Sequence, residues 1–588
     1  MDSKHVTEST SGQEDIQKTW WKEAIIYQIY PRSFQDSDDD GIGDLNGITS
    51  RLDYIQSLGV DIIWLNPIFL SPNDDNGYDI SDYREIMREF GTMEDFDRLL
   101  KEIHKREMRL VLDLVVNHTS DEHPWFEEAR KSRHNPYYNY YHWWPAEKGE
   151  PPLRLSYFDE EGNAWTYNKP TDSYYLHYFS RKQPDLNWEN PEVRQEIFDM
   201  MRFWFDKGID GFRMDSISLI AKDPSFPLID SKKYPDIFSF YAKEPRLHLY
   251  LHEMNRQVLS KYVCMSVGEG SAVMVDDVAK FVDPAREELN MLYHFDAARI
   301  RNTTLPDNPE SGIDYSLIAL KKMFTEWDKA VDKGWPSIYL GNHDQPRMVS
   351  RFGSDKDEFR ALSAKMLITF LLTMRGTPYW FAGDEIGMRN IRFDRIEDYN
   401  DIDTINRYKK AKAEGKDPQA VLDEQKETGR DNARTPFQWD RSPEAGFTAG
   451  TPWLKVNPDY TWINVADEEK DPTSILNYFK KVVSFRKENP SLIYGSYHLL
   501  DAENPQSYTF LRKTGADTYL IMLNFSPKAA ISTPGIDMSN THVLLDNYGD
   551  RSHMAPQKDI TLRPFEAIVF QLNHPIYESF IDSLDLLE

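Results

Sequence analysis

The sequence predicts an α/β fold: a (β/α)8 TIM barrel with a small domain inserted after the third strand and an antiparallel β domain at the C-terminal end. Three observations lead to this prediction. Short apolar runs alternate with segments of helical pattern along most of the chain. One connection, at 119–188, is long, aromatic and rich in turn residues. After about residue 490 the segments become short, β-rich and separated by turn residues, which is typical of an antiparallel β domain.

The first part of the barrel is predicted at 20–118. The apolar runs at 25–30, 60–65 and 110–116 are expected to be strands, and 48–58 and 93–105 the helices between them. The residues at 1–19 are polar and charged, so we expect a flexible tail there. The long segment 119–188 then interrupts the alternation, and connections of this length usually carry function. We therefore interpret it as an inserted domain.

The alternation resumes at 189 and is predicted to continue to 495. Helices are expected at 192–207, near 408–414 and at 475–487, and a highly charged excursion at about 385–440. The remaining residues, 496–588, form the predicted β domain.

Across the barrel, five apolar runs end on polar or acidic residues: 110–114 before Asn117 and His118, 209–212 before Arg213 and Asp215, 262–267 before Glu269, 338–340 before Asn342, His343 and Asp344, and 379–381 before Asp384 and Glu385. In such barrels the chemistry lies at the carboxyl ends of the strands.

Charge and cysteine content restrict the partners. The formal net charge is −28, and a surface this acidic repels phosphate backbones and anionic lipids, so we expect neither nucleic acid nor a membrane as partner. A small neutral substrate is compatible with it. Cys264 is the single cysteine, which fits a reducing compartment. No stretch has the roughly 18 consecutive apolar residues of a membrane helix. These features predict a cytoplasmic protein.

Two strand-end acids have different surroundings in the sequence. Asp215 follows Arg213 by two residues, so both side chains share one face of a strand, and a nearby cation keeps a carboxylate ionised. Glu269 has fewer cationic neighbours in the sequence, so burial could raise its pKa and make it an acid. Two carboxyl groups with opposed pKa values are what glycosidic bond cleavage requires, one to attack the anomeric carbon and one to protonate the leaving oxygen.

Several motifs occur together in one order: DLVVNH at 113–118, QPDLN at 183–187, GFRMD at 211–215, VGE at 267–269 and NHD at 342–344. YQIYPRSF at 27–34, GYDISDY at 77–83 and ARTPFQW at 433–439 accompany them. With these motifs the sequence resembles glycoside hydrolase family 13, the α-amylase family, and within it the branch of oligo-1,6-glucosidases, maltases and sucrose isomerases. The resemblance extends from about residue 20 to the C-terminal end.

The resemblance implies a role for each matching residue. Asp215 corresponds to the nucleophile, Glu269 to the general acid and base, and Asp344 to the carboxylate that grips sugar hydroxyls and stabilises the transition state. The remaining sugar ligands it implies are His118, His343 and Arg213 around the first sugar, Tyr78 stacked beneath it, Phe179 lining the pocket, and Asp75 with Arg434 as the pair that closes the pocket. A closed pocket implies an exo-acting enzyme. Retention of configuration would place the two catalytic carboxyl groups about 5–5.5 Å apart.

An acidic run at 36–44 has the spacing of a calcium loop. Oxygen donors stand at loop positions 1, 3, 5, 7 and 9, with glycine at position 6. Position 12 is Gly47 in place of a bidentate glutamate, so an EF-hand sensor is not expected. The spacing, together with the resemblance to a calcium loop of this branch, predicts a structural Ca²⁺ and no organic cofactor. The expected ligands are the side chains of Asp36, Asp38, Asp40 and Asp44 and the carbonyl oxygen of Ile42.

Two positions bear on specificity. Ser216 follows the nucleophile, where the resembling branch carries Val for α-1,6 and Thr for α-1,4 linkages; serine is closer to threonine. Gly270 and Ser271 follow the acid, where many members of that branch are bulkier, which suggests a roomy acceptor site. The sequence thus favours an exo-acting, retaining α-glucosidase of broad specificity, monomeric or weakly associating, acting on substrates of the maltose, isomaltose and sucrose type.

Alternatives remain open at this point. Sucrose isomerases and transglucosylases share the scaffold, but sucrose isomerases resemble one another in an Arg-Leu-Asp-Arg-Asp loop. The comparable residues here are Ala-Arg-Ile-Arg-Asn at 298–302, so hydrolysis is favoured. A remote alternative is a non-catalytic, transporter-associated homologue; the three retained carboxylates oppose it.

Overall fold

The computed structural model describes residues 18–158, 162–230, 232–234, 237–515, 517–536, 538, 541–551 and 558–572. Most of the predicted tail at 1–19 and the last residues of the predicted C-terminal domain lie outside these ranges. Among the described residues, no helix combines the length and the apolar character that crossing a bilayer would require.

Eight parallel strands form the barrel, and they follow one another around it in chain order. Each strand pairs in parallel with its neighbours, in the order β6-β5-β4-β3-β2-β1-β8-β7. The two end strands, β6 and β7, lie side by side, so the sheet is nearly closed. The predicted fold class is confirmed. The strands are β1 (Ile26–Ile29), β2 (Ile62–Leu65), β3 (Arg109–Val115), β4 (Gly211–Asp215), β5 (Met265–Glu269), β6 (Met291–Tyr293), β7 (Ser337–Ile338) and β8 (Thr377–Phe381).

Helices surround the barrel and begin where the sequence offers capping residues. Thr92 and Asp95 form a reciprocal capping box at the start of Met93–Lys105, and the helix buries an apolar stripe against the strands. The predicted helix at 48–58 is instead two helices, because the backbone of Arg51 leaves the helical region between them. The helices around the barrel are Leu45–Ser50, Leu52–Ser57, Met93–Lys105, Pro191–Lys207, Arg246–Gln257, Ala279–Val282, Asp296–Thr303, Leu317–Ala330, Met348–Phe352, Arg360–Thr373 and Ile475–Glu488.

The remaining segments carry shorter elements. Their α-helices are Trp20–Glu23, Pro124–Ala129, Phe238–Tyr241, Ile402–Ala413, Pro418–Thr428, Asp431–Arg434, Val465–Glu468 and Ser491–Tyr494. A two-stranded sheet pairs Phe69–Leu70 with Asp82–Ile86. The predicted surface excursion is therefore largely helical, and its last helix, Asp431–Arg434, is fully buried.

The inserted segment after β3 is held to the barrel by a buried charge contact. Its antiparallel sheet has the order Trp143–Pro145, Ser173–Leu176, Trp165–Asn168. The buried ammonium group of Lys222, in the connection after β4, lies 3.0 Å from the carboxylate of Asp185 in this segment. The same ammonium donates to the side-chain oxygen of Asn117 at 2.6 Å, at the end of β3. One cation thus joins the insert to the rim of the barrel.

The C-terminal sheet is antiparallel and docks on the barrel helices through buried arginines. Its strands follow the order Ser496–Leu500, Ser507–Thr514, Asp517–Asn524, Ala567–Leu572, Thr541–Asp546, with a smaller pair of Ala530–Ser532 and Ile560–Leu562. Arg512 is fully buried and donates to the carbonyl oxygens of Thr373 (2.6 Å) and Leu492 (2.7 Å). Arg486, in the last barrel helix, donates to the same Leu492 oxygen at 3.0 Å. The two guanidinium groups therefore satisfy carbonyl groups that the helix ends leave unpaired.

Candidate active site

The barrel brings the strand-end acids together at one rim. Asp215 is the last residue of β4 and Glu269 the last residue of β5, and these strands are paired neighbours. Asp344 follows β7 in the chain and reaches the same site, since its charge adds to the effect of burial in raising the pKa of Glu269, and Arg213 helps to lower the pKa of Asp344. Parallel strands place all their carboxyl ends at one edge of the sheet, which is why these three residues converge.

Arg213 is the centre of this group. Its guanidinium is fully buried and lies 2.6 Å from the carboxylate of Asp113 and 2.7 Å from that of Asp215. Its other terminal nitrogen contacts the carboxylate of Glu269 and the hydroxyl of Tyr293. Asp113 pairs with Arg213 across the β3–β4 register, so the sheet itself holds this contact in place. One cation therefore faces three buried carboxyl groups.

Sharing one cation leaves the two catalytic carboxyl groups with different proton affinities. Burial raises the pKa of Glu269 to about 8; Arg213 opposes the rise and the negative charge of Asp215 adds to it. Burial likewise raises the pKa of Asp215 to about 6, again with Arg213 opposing. At neutral pH Asp215 is mostly ionised and Glu269 mostly protonated. The two carboxyl groups lie within hydrogen-bonding reach of each other.

The structure corrects part of the sequence-based reasoning about these acids. The pKa of Glu269 is higher than that of Asp215, as expected. The reason for this order differs from the expected one, because Arg213 contacts both carboxyl groups, so Glu269 does not have fewer cationic neighbours than Asp215. Nor does Arg213 keep the pKa of Asp215 low, since desolvation outweighs it. The mutual repulsion of the buried pair separates their titrations, which belong to the pair as a unit.

Asp344 is kept ionised by its neighbours. Burial alone would raise its pKa, but contacts with His343, Arg430 and Arg434 outweigh that effect and lower the pKa well below its ordinary value. Its carboxylate lies 3.0 Å from Arg434, 3.3 Å from Arg430 and 3.1 Å from Nε2 of His343. A permanently charged carboxylate beside a sugar can accept hydrogen bonds from hydroxyl groups and stabilise positive charge that develops at the anomeric carbon.

His343 is neutral, and its surroundings determine the tautomer. Burial lowers its pKa to about 3. The amide nitrogen of Gln28 lies 2.8 Å from Nδ1 and can only donate, so Nδ1 accepts and Nε2 carries the hydrogen. Nε2 lies 2.7 Å from the hydroxyl of Tyr78, which in turn donates to Asp113 at 3.0 Å. The ring of Tyr78 stacks on that of His343 with 5.3 Å between centroids. This chain fixes the orientation of Tyr78.

Arginines from the charged excursion pair with the acids at the end of the site that is predicted to be closed. The carboxylate of Asp75 lies 3.3 Å from Arg430, and its other oxygen accepts from Gln183 at 3.3 Å. Arg434 pairs with Asp344 and donates to the carbonyl oxygen of His343. Arg430 thus pairs directly with Asp75, and the charge of Arg434 also opposes the rise that burial causes in the pKa of that carboxyl group, so the predicted role of Asp75 and Arg434 as the closing pair stays a prediction. Arg430 stands four residues before Arg434, and it bridges Asp75 and Asp344.

His118 and Phe179 line the same pocket. Nε2 of His118 lies 3.0 Å from the carbonyl oxygen of Tyr78, and the ring centroid of Phe179 is 5.1 Å from that of His118. Burial lowers the pKa of His118 to about 3, so it is neutral. Of the seven sugar ligands named from the sequence, Arg213, His343 and Arg434 contact the three acids directly. Tyr78 and Asp75 reach Asp344 through one residue each, and His118 and Phe179 lie further out, beside Tyr78 and His118 respectively.

The two positions predicted to affect specificity, Ser216 and Gly270, differ in what they contact. Ser216 has a left-handed backbone (φ 43°), and its N–H points to Oε2 of Glu269 at 3.3 Å. Gly270 does not open the acceptor side as the sequence suggested. A Cβ there would lie 2.8 Å from Cδ2 of Leu292 and 3.1 Å from the carbonyl oxygen of Tyr293. The glycine is required for packing against β6, and its lack of a side chain leaves no space for a sugar.

The acidic run at 36–44 forms a tight loop in which three carboxylates converge. Side-chain oxygens of Asp36, Asp38 and Asp40 lie within 4.8 Å of one another. Asp44 lies near them, since the charge of Asp38 adds to the effect of burial in raising its pKa, and its carboxylate also caps the helix Leu45–Ser50 through the N–H of Gly47 at 2.7 Å and accepts from Ser37. Of the five predicted calcium ligands, the structure therefore gathers three side chains and gives Asp44 a capping role.

Several residues of the site were not foreseen. Asp113 is the first residue of the motif at 113–118, and strand pairing with Arg213 was the available signal. Arg430 lies one helical turn from Arg434, a spacing that places two side chains on one face. Ser271, two residues after Glu269, donates to Oε1 of that carboxyl group at 2.7 Å. No local pattern pointed to Gln28 or Tyr293, whose contacts join distant strands.

A model of the catalytic domain of α-amylases matches residues 28–495 of the chain. The chain belongs to the α-amylase family. It is 51% identical to an oligo-1,6-glucosidase of Parageobacillus thermoglucosidasius, over 95% of this chain and 100% of that protein. An oligo-1,6-glucosidase of Bacillus cereus is 48% identical over the same shares of the two chains. The protein is accordingly a glycoside hydrolase, and the non-catalytic alternative is not supported.

Solved structures of this family have the same fold. A trehalulose synthase superimposes with a TM-score of 0.89 at 42% identity, covering 94% of this chain and 100% of that one. An isomaltulose synthase from Klebsiella sp. LX3 has the same TM-score and identity, with 95% and 100% covered. The architecture of this α-amylase family member is therefore shared over nearly its whole length.

The packing role of Gly270 can be tested by substitution. Gly270→Ala should lower the free energy of unfolding by about 1–3 kcal/mol, because the new methyl group overpacks the contact with Leu292. Urea denaturation measures the change. Leu292→Val, alone and combined with Gly270→Ala, completes a double-mutant cycle in which the alanine should cost less. A variant of unchanged stability with altered preference among disaccharides would contradict the packing role.

Proposed function

We propose that this protein is an exo-acting, retaining α-glucosidase that releases glucose from the non-reducing end of short α-glucosides. The observation that carries the proposal is the pair of buried carboxyl groups, Asp215 and Glu269, held on adjacent strands by one arginine with pKa values of about 6 and about 8. One ionised and one protonated carboxyl at neutral pH supply a nucleophile and an acid to the same bond.

The reaction proceeds in two displacements. The carboxylate of Asp215 attacks the anomeric carbon while Glu269 gives its proton to the glycosidic oxygen, so the bond to the leaving sugar breaks as the ester bond to Asp215 forms. Glu269, now ionised, takes a proton from water, and the water oxygen displaces Asp215. Two inversions restore the original configuration. Asp344 remains ionised throughout and stabilises the oxocarbenium-like charge.

The exo mode follows from the closed end of the pocket. Arg430 bridges Asp75 and Asp344, and Arg434 holds Asp344 from the other side. Buried charge pairs at this end leave no passage for further sugar units, so the terminal glucose is bound with its hydroxyls facing these groups. The hydroxyl donors and acceptors of a neutral sugar match such an array of carboxylates and guanidinium groups.

Substrates of the maltose, isomaltose and sucrose type are proposed. The oligo-1,6-glucosidase names of the relatives support α-1,6 linkages among them, whereas Ser216 is closer to the threonine of α-1,4 enzymes. Cytoplasmic location and a monomeric or weakly associating state stay predictions of the sequence.

Isomerisation of sucrose, with transglucosylation, is the second candidate, because solved structures of a trehalulose synthase and an isomaltulose synthase share the fold. The segment that corresponds to the isomerase loop lies in the helix Asp296–Thr303. There Arg301 donates to the carbonyl oxygens of Ser350 and Arg351, so its guanidinium serves the packing of that helix. This supports hydrolysis as the main outcome.

Products of a sugar panel test the function. With maltose, isomaltose and sucrose, chromatography should show glucose as the main product, and NMR of early time points should show it as the α-anomer, because two inversions retain configuration. Asp215→Ala should abolish cleavage of p-nitrophenyl α-glucoside while the circular dichroism spectrum stays unchanged. Release of β-glucose, or turnover by the Asp215 variant, would refute the assignment, and isomaltulose or trehalulose as main product would favour the second candidate.

The pH profile tests the assignment of acid and nucleophile. Activity requires ionised Asp215, so kcat/KM should fall as the pH falls through about 6. It also requires protonated Glu269, so kcat/KM should fall as the pH rises through about 8. A bell-shaped profile with a maximum near neutrality is expected. Glu269→Gln should lose the alkaline limb; an alkaline limb that persists in this variant would assign it to another group.

We also propose a structural Ca²⁺ at the loop 36–44. The convergence of Asp36, Asp38 and Asp40 supports it, since hard carboxylate oxygens are the ligands that Ca²⁺ prefers. Asp36 would bind Ca²⁺ and also hold the loop in shape. Its carboxylate accepts hydrogen bonds from the N–H of Gly41 at 2.8 Å and from the hydroxyl of Thr448 at 2.5 Å. Asp44 shapes the loop as a helix cap.

Chelation tests the metal proposal. If Ca²⁺ is bound, EGTA should lower the melting temperature and added Ca²⁺ should restore it, because a ligand that binds the folded state stabilises it. Asp38→Asn with Asp40→Asn should melt at the lower temperature and respond to neither reagent. Identical melting of the original protein with EGTA and with Ca²⁺ would leave the loop without a metal role.

A further inference from the structure

The two oxygens of the Glu269 carboxyl group have different partners. Oε2 accepts from the guanidinium of Arg213 and lies 3.3 Å from the backbone N–H of Ser216. Oε1 accepts from the side-chain hydroxyl of Ser271 at 2.7 Å. The donors on Oε2 are both N–H groups, whereas the donor on Oε1 is a hydroxyl.

This difference determines where the catalytic proton can reside. A carboxylate oxygen has two lone pairs, and both lone pairs of Oε2 face N–H groups that cannot accept a hydrogen bond. A proton on Oε2 would be directed at one of these donors. Oε1 has one lone pair engaged by a hydroxyl, which can also turn and accept, and one lone pair for the proton. With respect to these donors, protonation of Oε1 therefore costs less than protonation of Oε2. The carboxylate of Asp215 also lies within hydrogen-bonding reach of the Glu269 carboxyl group and is a further acceptor for this proton.

We propose that Ser271 is a positioning residue for the general acid: the N–H donors on Oε2 leave the proton of Glu269 to Oε1, and the hydroxyl of Ser271 occupies one lone pair of Oε1, so that the proton takes the other and is aimed at the leaving oxygen. The proposal rests on the function proposed above, in which Glu269 protonates that oxygen. Ser271 acts through Glu269 and needs no contact with the sugar.

Hydrogen bonds to the backbone around Ser271 fix the position of its hydroxyl group. Its carbonyl oxygen accepts from the buried hydroxyl of Ser218 at 2.7 Å. The N–H of Val273 closes a turn onto the carbonyl oxygen of Gly270 at 3.1 Å. Within that turn Ala272 has a left-handed backbone with φ 61°, an uncommon conformation for a residue with a Cβ. The surrounding contacts thus hold the segment in one arrangement.

Loss of the hydroxyl has two separable consequences. The bond from Ser271 stabilises the ionised form of Glu269 and lowers its pKa, so removing it moves the alkaline limb of the pH profile to higher pH. The acid also becomes less well aimed. Cleavage that depends on protonation of a poor leaving group then slows, whereas a leaving group that departs as a stable anion needs little acid assistance.

The experiment compares Ser271→Ala and Ser271→Thr with the unmodified protein on isomaltose and on p-nitrophenyl α-glucoside. For Ser271→Ala, kcat/KM on isomaltose, which reports the first displacement, should fall by about tenfold, the scale of one hydrogen bond to a charged group. On the nitrophenyl substrate kcat/KM should fall by less than about twofold, because its first displacement needs little acid assistance, and the alkaline limb should move up. Ser271→Thr retains the hydroxyl and should restore both readouts.

Ser266→Ala is the matched control. Ser266 lies on β5 three residues before Glu269, and its hydroxyl donates to the side-chain oxygen of Asn290 at 3.2 Å, away from the carboxyl group. In Ser266→Ala the ratio of the activity on isomaltose to the activity on p-nitrophenyl α-glucoside should be the same as in the unmodified protein. Equal slowing of both substrates by Ser271→Ala, an unmoved alkaline limb, or a threonine variant as slow as the alanine variant would overturn the proposal. Failure of the unmodified protein to cleave either substrate would instead refute the proposed function.

Discussion

The buried guanidinium of Arg213 is the interaction on which the site depends. It stands on β4 and contacts the carboxyl groups of Asp113, Asp215 and Glu269, one on each of three adjacent strands. Without it, three acidic groups would meet in an environment that excludes water, and burial would favour protonation of all three. With Arg213 present, the three carboxyl groups share one positive charge. One of them can therefore ionise readily, and ionisation of a second costs more free energy. Unequal proton affinity thus follows from having fewer cations than acids.

A second charge group lies at the end of the site that is predicted to be closed, and it contains two cations instead of one. Arg430 and Arg434 accompany Asp75 and Asp344, and the pKa of Asp344 falls well below its ordinary value. The site therefore juxtaposes a carboxylate that never takes up a proton with a pair that titrates near neutrality. The first group stands on the barrel strands, whereas the two arginines of the second group come from the charged segment after β8.

Much of the fold was predictable from the sequence, because strand and helix periods are local properties. The helix Met93–Lys105 was predicted at its observed bounds, since its capping residue adjoins it. The split at Arg51 was not, because distant contacts cause it: this side chain bonds Gln35 and lies over Trp439. In the active site, the sequence motifs identified the residues, but they did not show which of these residues contact one another. The partner of Asp75 and the packing of Gly270 depend on geometry between segments far apart in the chain.

Arg486 and Arg512 meet at the carbonyl oxygen of Leu492, where the last barrel helix and the C-terminal sheet are joined. Arg512 also satisfies the carbonyl of Thr373, at the end of the helix before β8. In a nascent chain that has not yet emerged as far as this arginine, the carbonyl oxygen of Thr373 lacks this donor, whereas that of Leu492 still has Arg486. Some hydrogen bonds at the end of a barrel helix therefore form only after the C-terminal strands have been synthesised.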